Sequence, residues 1–351
     1  MPEKFEVKFM QRCLELAVKA EGLTYPNPMV GSVIVYDGKI IGEGYHLKAG
    51  GPHAEVNAIN SVHNNELLSE STLYVNLEPC SHTGKTPPCA DLIIAHKIPR
   101  VVIGSIDTSD KVSGKGIARL TKAGCEVITG VLENESGNLN RRFFTFHEKR
   151  RPYITLKWAQ SADGYLDIIR NADHNNRPTW ISGKPERILV HKWRSSEQSI
   201  LVGAGTLRTD NPKLNVREWS GNNPVRLILS SSGMVGKELS VIGTNDTDIV
   251  FTHNAQADIG TAMKVMLNEK EASALQIADY LYNSGVQSML IEGGAQVLNH
   301  FISMGLWDEA RIFYGNTCFN EGIKAPVISG TIYSKTTFLL SHLEMIYNEG
   351  K

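Results

Sequence analysis

Four residues in the first ninety constrain the chain more than any other feature. They are His53, Glu55, Cys80 and Cys89, set as His53-Ala54-Glu55, then Pro79-Cys80, then a second thiol. One imidazole and two thiolates make three ligands for one metal and leave the fourth tetrahedral position open for water. A zinc ion in such a set lowers the pKa of that water towards neutrality. Glu55, not needed as a ligand, is then the group that moves protons. H-x-E followed by P-C and a later Cys is the signature of zinc-dependent base deaminases, and one zinc per chain is the expected load.

Local patterns suit this use. HAEVNAINSV is amphipathic and follows the breaker Gly50-Gly51-Pro52, so it reads as a helix whose first turn carries His53 and Glu55. GSVIVYDGKIIGEGYH alternates as a hairpin turning at Asp37-Gly38. TLYVNLEPC reads as a strand entering a turn, and Cys89 opens a helical stretch, CADLIIAHK. The partial positive charge at a helix start favours thiolate over thiol. A purely structural zinc would need a fourth protein ligand, for which His82 stands nearby, but Glu55 would then have no purpose. Cys13 and Cys125 read as structural and Cys318 as incidental.

At 351 residues the expectation is two domains. No apolar run approaches the ~20 residues of a membrane span, and MPEKFEVKFMQRC has no apolar signal region. Five cysteines, two of them claimed by metal, argue against a disulfide framework and for the cytoplasm. A net charge of −1 leaves no electrostatic footprint for nucleic acid. The pattern shifts near residue 150, which gives domains over 1–147 and 150–351. The basic run Arg141-Arg142 and Lys149-Arg150-Arg151 at that shift reads as a solvated helix end and hinge.

The first half alternates strand and helix signals: VVIGSI as a buried strand, GIARLTKAG as a helix with a glycine stop, CEVITG as a strand. In the second half ITLKWA, SILVGA, VRLILS, DIVFTH, SMLIE and ARIFY read as strands. KPERILVHKWRSS, ASALQIADYLYNSG and AQVLNHFISMG read as helices. The fold class is therefore α/β. SMLIE runs into Gly293-Gly294 and SILV into Gly203-Ala204-Gly205-Thr206; each is either a simple connection or a place where helix-start amides meet a phosphate. Neither is G-x-G-x-x-G, so no Rossmann site is expected. Gly84-Lys85-Thr86 lacks the first glycine of a P-loop, since position 79 is proline.

At this point the chain resembles the bifunctional riboflavin-biosynthesis family, a pyrimidine deaminase fused to a reductase. PNPMVGSVIV, GEGYH, GGPHAEVNAI and LEPCSHTGKTPPC carry the likeness in the first half; residues 81–88 separate the two thiols, against about two residues in cytidine and tRNA deaminases. LKWAQSADG, TWIS, HKWRS, VGAGTLRTDNPKLNVR and IEGGAQVL carry it in the second. The resemblance implies a cytidine-deaminase-like α/β/α domain followed by a dihydrofolate-reductase-like α/β domain that uses NADPH. It implies that Asn27 contacts the pyrimidine and that His82 and Lys85 contact the polar tail of the substrate. It implies that Ala159, Trp180, Thr206, Asp210, Ser230 and the turn Gly294, Ala295, Gln296, Val297 line the cofactor. Arg194, Leu214, Arg217 and Glu292 line the substrate, the arginines suiting its phosphate, and Lys157 adds a polar contact near the reacting ribose. The expected partners are a small phosphorylated pyrimidine and further copies of the chain, in a dimer or tetramer, with no membrane or nucleic acid. The chain departs from the family at Asp107-Thr108-Ser109, where Asp-Pro-Asn is frequent, and in the longer approach IIRNADHNNRPT to Trp180.

Two other classes fit parts of this pattern. A nucleic-acid base deaminase with an accessory domain needs a basic, aromatic-lined channel, which the charge balance and the long thiol spacing disfavour. A non-catalytic zinc protein with an assembly domain leaves Glu55 unexplained.

Overall fold

The computed structural model describes residues 6–81, 87–108, 113–169, 181–233 and 248–349. The chain forms two compact units, Met1–Arg150 and Arg151–Lys351.

In the first unit, α1 (Val7–Val18) is followed by the hairpin β1 (Gly31–Tyr36) and β2 (Lys39–Tyr45), then α2 (Ala54–Asn60), a 3-10 turn (Asn65–Glu70) and β3 (Thr72–Leu77). Next come α3 (Cys89–Ala95), β4 (Arg100–Ser105), α4 (Lys115–Lys122), β5 (Glu126–Ile128), α5 (Glu133–Leu139) and α6 (Arg141–Lys149). The sheet order is β2-β1-β3-β4-β5, antiparallel in the hairpin and between β1 and β3, parallel from β3 to β5. Alternation along the strands sends side chains to opposite faces. Ile34, Leu73, Val75, Val101 and Ile103 pack with Ile59 of α2, Ile93 of α3 and Leu120 of α4. Val33, Val35, Tyr74 and Val102 pack on the other face with Phe9, Met10, Cys13 and Leu16 of α1. Both faces of the sheet are thus covered by helices, the α/β/α sandwich of the cytidine deaminases.

The second unit contains β6 (Tyr153–Gln160), β7 (Tyr165–Asp167), α7 (Lys184–Ser196), β8 (Ser199–Gly203), α8 (Ala204–Asp210), β9 (Val225–Leu229), β10 (Ile249–Thr252) and β11 (Met263–Met266). It continues with α9 (Ser273–Asn283), β12 (Ser288–Glu292), α10 (Ala295–Ser303), β13 (Glu309–Gly315), β14 (Ile323–Lys324), β15 (Thr331–Thr337) and β16 (Ser341–Tyr347). Among the described residues the main sheet has nine strands, ordered β11-β10-β9-β8-β12-β6-β13-β16-β15. It is parallel from β11 to β13, and only the last two strands run antiparallel to their neighbours. β8 and β12 are buried along their whole length, as parallel strands covered on both faces must be, which accounts for their unbroken apolar runs. This is the α/β architecture of the dihydrofolate-reductase-like domains.

The basic run near residue 150 is less solvated than its composition suggests. Arg142 is buried. Arg151 forms a two-point pair with Asp308, at 2.6 and 2.8 Å, and Asp308 also accepts from the backbone N–H of Ile154. These bonds fix the first residues of β6 against the start of β13. Among the described residues, no helix is long and apolar enough to cross a membrane.

Phe251 of β10 is fully buried and meets Tyr280 of α9 edge to face, with ring centroids 5.4 Å apart. Phe251→Ala should destabilise the second unit by about 3–5 kcal/mol. Calorimetry of the full chain should show this as a downward shift of one unfolding transition, with zinc content unchanged. A parallel loss of zinc would show that the two cores do not unfold independently.

Candidate active sites

In the first unit, three separate elements deliver the three ligand candidates. His53 is the last extended residue before α2, Cys89 is the first residue of α3, and Cys80 lies in the turn after β3. Their donor atoms all lie within 4.8 Å of one another. His53 Nδ1 is 3.6 Å from Cys80 Sγ and 3.3 Å from Cys89 Sγ. With Zn–S of about 2.3 Å and Zn–N of about 2.0 Å, two ligands at a tetrahedral angle lie roughly 3.5 Å apart. Both distances from His53 match ligands on one zinc ion.

The turn holding Cys80 is built by a buried carboxylate. Glu78 accepts from the backbone N–H groups of Gly114 (2.9 Å), Gly116 (2.9 Å) and Ile117 (3.2 Å), and so caps the start of α4 from a distant strand. A Cβ at Gly116 would collide with the carbonyl oxygen of Pro79, so only glycine lets α4 approach this turn. The Cys89 N–H donates to Cys80 Sγ (3.3 Å). A hydrogen bond from the Cys89 thiol, with help from His53 and the Cys89 amide, outweighs burial and pulls the Cys80 thiol down to about 4. Cys89 is pushed up by that same shared proton and by burial. A divalent cation held by the two sulfurs would take the place of that proton.

Glu55, one residue into α2, is 3% exposed. Burial raises its carboxyl to about 7 and the Cys80 thiolate adds to the rise, while His53 opposes it. A carboxyl poised near neutrality accepts and returns protons with little penalty either way.

Asn27 is held by a chain the sequence reading did not include. His46 Nδ1 faces the carbonyl oxygen of Pro52 (2.9 Å), and its Nε2 faces Asn27 Nδ2 (3.0 Å). A carbonyl only accepts, so Nδ1 carries the proton, Nε2 accepts, and Asn27 donates with Nδ2. The Asn27 Oδ1 is the end of the amide that His46 does not use. The ring of His46 also lies edge-on to His53, with centroids 5.4 Å apart. The following backbone is pinned by two buried amides. Asn76 accepts from Gly31 N–H (2.7 Å) and donates to Met29 O (3.1 Å); Asn140 accepts from Met29 N–H (2.8 Å) and donates to the same oxygen (2.9 Å). The polar residue inside the apolar run TLYVNL was the sequence signal for Asn76. His82 and Lys85 lie outside the described residues.

In the second unit, Lys157, Arg194 and Glu292 come together. Lys157 of β6 and Glu292 of β12 are paired neighbours in the sheet, with Nζ 3.9 Å from Oε2. Arg194 of α7 grips Glu292 at two points, 2.7 and 2.8 Å. Burial alone would raise the Glu292 carboxyl, but Arg194 and Lys157 outweigh it and hold it down at about 2. Burial lowers the Lys157 ammonium, against the pull of Glu292. Arg194 also donates to Asn215 O (3.2 Å), in the segment that carries Leu214 and Arg217. Leu214 is buried at φ +50°, so it serves that segment through its backbone; Arg217 is exposed.

The candidate cofactor residues gather at the carboxyl ends of neighbouring parallel strands, where open α/β sheets bind ligands. Ala159 lies near the end of β6, and Ser230 follows β9. Thr206 is in the first turn of α8 and Asp210 closes that helix. Gly293 and Gly294 have φ of +77° and +70°, a conformation that favours glycine. Thr206 packs against both, its Oγ1 lying 3.0 Å from where a Cβ on Gly294 would be. Ala295, Gln296 and Val297 then open α10 with their N–H groups free of intrahelical partners. The Val297 side chain belongs to the core, so its backbone is what it offers a ligand. Trp180 lies outside the described residues.

Comparison with known proteins follows this division. Residues 3–105 match the family described as the cytidine and deoxycytidylate deaminase zinc-binding region, and residues 152–338 match the RibD C-terminal domain. The riboflavin biosynthesis protein RibD of Aquifex aeolicus is 38% identical over 92% of this chain and 90% of its own. The RibD protein of Escherichia coli is 33% identical over 87% of this chain and 86% of its own. The crystal structure of a diaminohydroxyphosphoribosylaminopyrimidine deaminase/5-amino-6-(5-phosphoribosylamino)uracil reductase from Thermotoga maritima superposes with a TM-score of 0.88 at 38% identity, covering 97% of this chain and 98% of that one.

Purified protein should carry about one zinc per chain, held by three side chains with one position open. Cys80→Ser and Cys89→Ser should each lower the metal content measured by atomic emission and stop ammonia release. Full occupancy in both variants would rule the site out.

Proposed function

The chain belongs to the RibD family of riboflavin-biosynthesis proteins, and from that membership we propose how its two sites divide the work. It is a bifunctional enzyme, a hydrolytic deaminase and an oxidoreductase, and it works with zinc and a nicotinamide cofactor. The proposed substrate is 2,5-diamino-6-(5-phosphoribosylamino)pyrimidin-4(3H)-one. It is deaminated first, and the ribosyl group of the product is then reduced to ribityl with NADPH. The observation that carries this reading is the convergence of His53, Cys80 and Cys89 beside the buried carboxyl of Glu55, in a chain whose other half is a reductase domain.

His53, Cys80 and Cys89 hold the zinc. Bound there, zinc makes a water acidic enough to act as a nucleophile at neutral pH. Glu55 would take one proton from the attacking water and hand it to the ring nitrogen, then carry the second proton of that water, released as the new carbonyl forms, to the departing amine. Asn27 orients the pyrimidine through Oδ1, and His82 and Lys85 meet the polar tail. In the second unit the chemistry of hydride transfer belongs to NADPH. Thr206, Asp210, Ser230, Ala159, Trp180 and the amides of Gly294 to Val297 hold and orient the cofactor. Arg217 and Arg194 face the anionic end of the substrate, with Leu214 and Glu292 shaping its site. Lys157, with its ammonium lowered by burial, is suited to supply the proton that ring opening of the ribose requires.

The chain acts in the cytoplasm; a site built on two adjacent thiols, which an oxidising compartment would pair, supports this. A homo-oligomer is supported by the exposed apolar side chains Ile332, Leu339 and Leu340 beside the edge strand β15.

Two variants test the division of labour. Glu55→Gln keeps the shape of the side chain and loses the proton carrier. Zinc should stay bound while deamination falls by ~10²–10⁴ or more; a rate within about tenfold of wild type would sink the role.

Arg217→Ala should do the reverse. Losing a charged hydrogen-bond partner costs on the order of 1.5–3 kcal/mol, so the KM for the deaminated substrate should rise while ammonia release stays at the wild-type rate. Loss of deamination with reduction untouched, in a folded and zinc-loaded variant, would overturn the two-site assignment.

A further inference from the structure

One helix holds the segment 214–217 at two points. Arg194 donates to the carbonyl oxygen of Asn215. His191, one turn earlier on α7, accepts at Nδ1 from the backbone N–H of Arg217 (3.3 Å). Leu214 anchors the start of the segment in the core. The guanidinium of Arg217 is steadied by Asn215, its Nη1 donating to Asn215 Oδ1 at 3.2 Å. Arg217 therefore projects from a backbone fastened on both sides, although its own side chain reaches solvent.

A ring nitrogen that accepts from an N–H carries no proton. His191 is then neutral, with its proton on Nε2. The ring is 3% exposed. Four charged groups face it: Arg194 on the same helix, Arg217 and Glu218 on the loop, and Glu292 on β12. Burial moves its pKa below the ordinary value of 6.5, and the two arginines push the same way while the two glutamates oppose them.

We propose that His191 is a positioning residue of the reductase, its unprotonated Nδ1 holding the Arg217 backbone so that the guanidinium meets the substrate phosphate already ordered. The inference rests on the assignment of Arg217 to that phosphate. Ordering a loop at the moment of binding costs affinity, and a loop ordered in advance avoids that cost. The phosphate lies away from the reacting carbon, so the effect belongs to KM rather than kcat. The linkage has a definite sign. As pH falls through the depressed pKa, the imidazolium can no longer accept, the segment loosens and KM rises.

The test uses the full-length, zinc-loaded enzyme with NADPH and the deaminated, phosphorylated substrate. His191→Phe fills the volume and removes the acceptor. Its KM for that substrate should rise roughly three- to tenfold, the worth of one hydrogen bond, with kcat and the KM for NADPH held within about twofold. His191→Asn restores an acceptor oxygen that does not titrate, so it should recover most of the affinity. The phosphate monoester itself titrates near pH 6, and the comparison of wild type with His191→Asn cancels that contribution. The wild type should show the steeper acid rise in KM. Equal acid limbs in the two proteins, or an unchanged KM in His191→Phe, would overturn the inference. Should His191→Phe not fold, the acid limb of His191→Asn decides alone. Arg217→Ala is run beside them. If it leaves KM unchanged, the phosphate assignment fails; if it raises KM and His191→Phe does not, the role of His191 alone fails.

Discussion

Parallel strands buried on both faces end with polar backbone that must find partners, and both sites of this enzyme are built where those ends are met. In the first unit β3 gives out into a turn whose Cys80 carbonyl and sulfur accept from the first amides of α3, and whose preceding carboxylate satisfies the start of α4. In the second unit β8 and β12 run side by side into α8 and α10, so two helix starts lie next to each other at the carboxyl ends of central strands. The chemistry differs, but the constraint is shared. A helix start offers amide donors and positive potential, and the groups placed there are a thiolate, a carboxylate and the residues proposed for a cofactor with phosphates.

The sequence was most legible where the determinant was local. The span of α7 follows from Pro185 near its start and its apolar spacing. β8 and β12 announced themselves as unbroken apolar runs because both faces are covered. The grouping of His53, Cys80 and Cys89 was readable because a metal needs those residue types wherever they fall in the chain. Other features had no local signal. β15 is exposed on nearly every residue and is a strand because β16 pairs with it. Asn76, Asn140 and His46 act on partners far away in the sequence, so the spacing of residues around them says nothing. Arg142 and Arg151 were read as a solvated run, yet one is buried and the other is locked to Asp308 across the width of the second unit's sequence.

Three charged side chains meet in the second unit, Lys157, Arg194 and Glu292. Glu292 is shared between Arg194 and Lys157, so the second site holds more positive than negative groups before any ligand arrives. Breaking such a cluster by removing one member leaves an uncompensated charge, which is more costly than never having built it. The cluster is therefore held in one arrangement by its own pairing.

The pairing of Asn27 with His46 couples the two side chains. The carbonyl of Pro52 fixes which nitrogen of His46 carries the proton, and that in turn fixes which end of the Asn27 amide faces inward. Neither residue can change its hydrogen-bonding sense alone, since a new acceptor at 27 would face an acceptor at 46. The two positions share one hydrogen-bonding polarity, so substitutions at them should be non-additive.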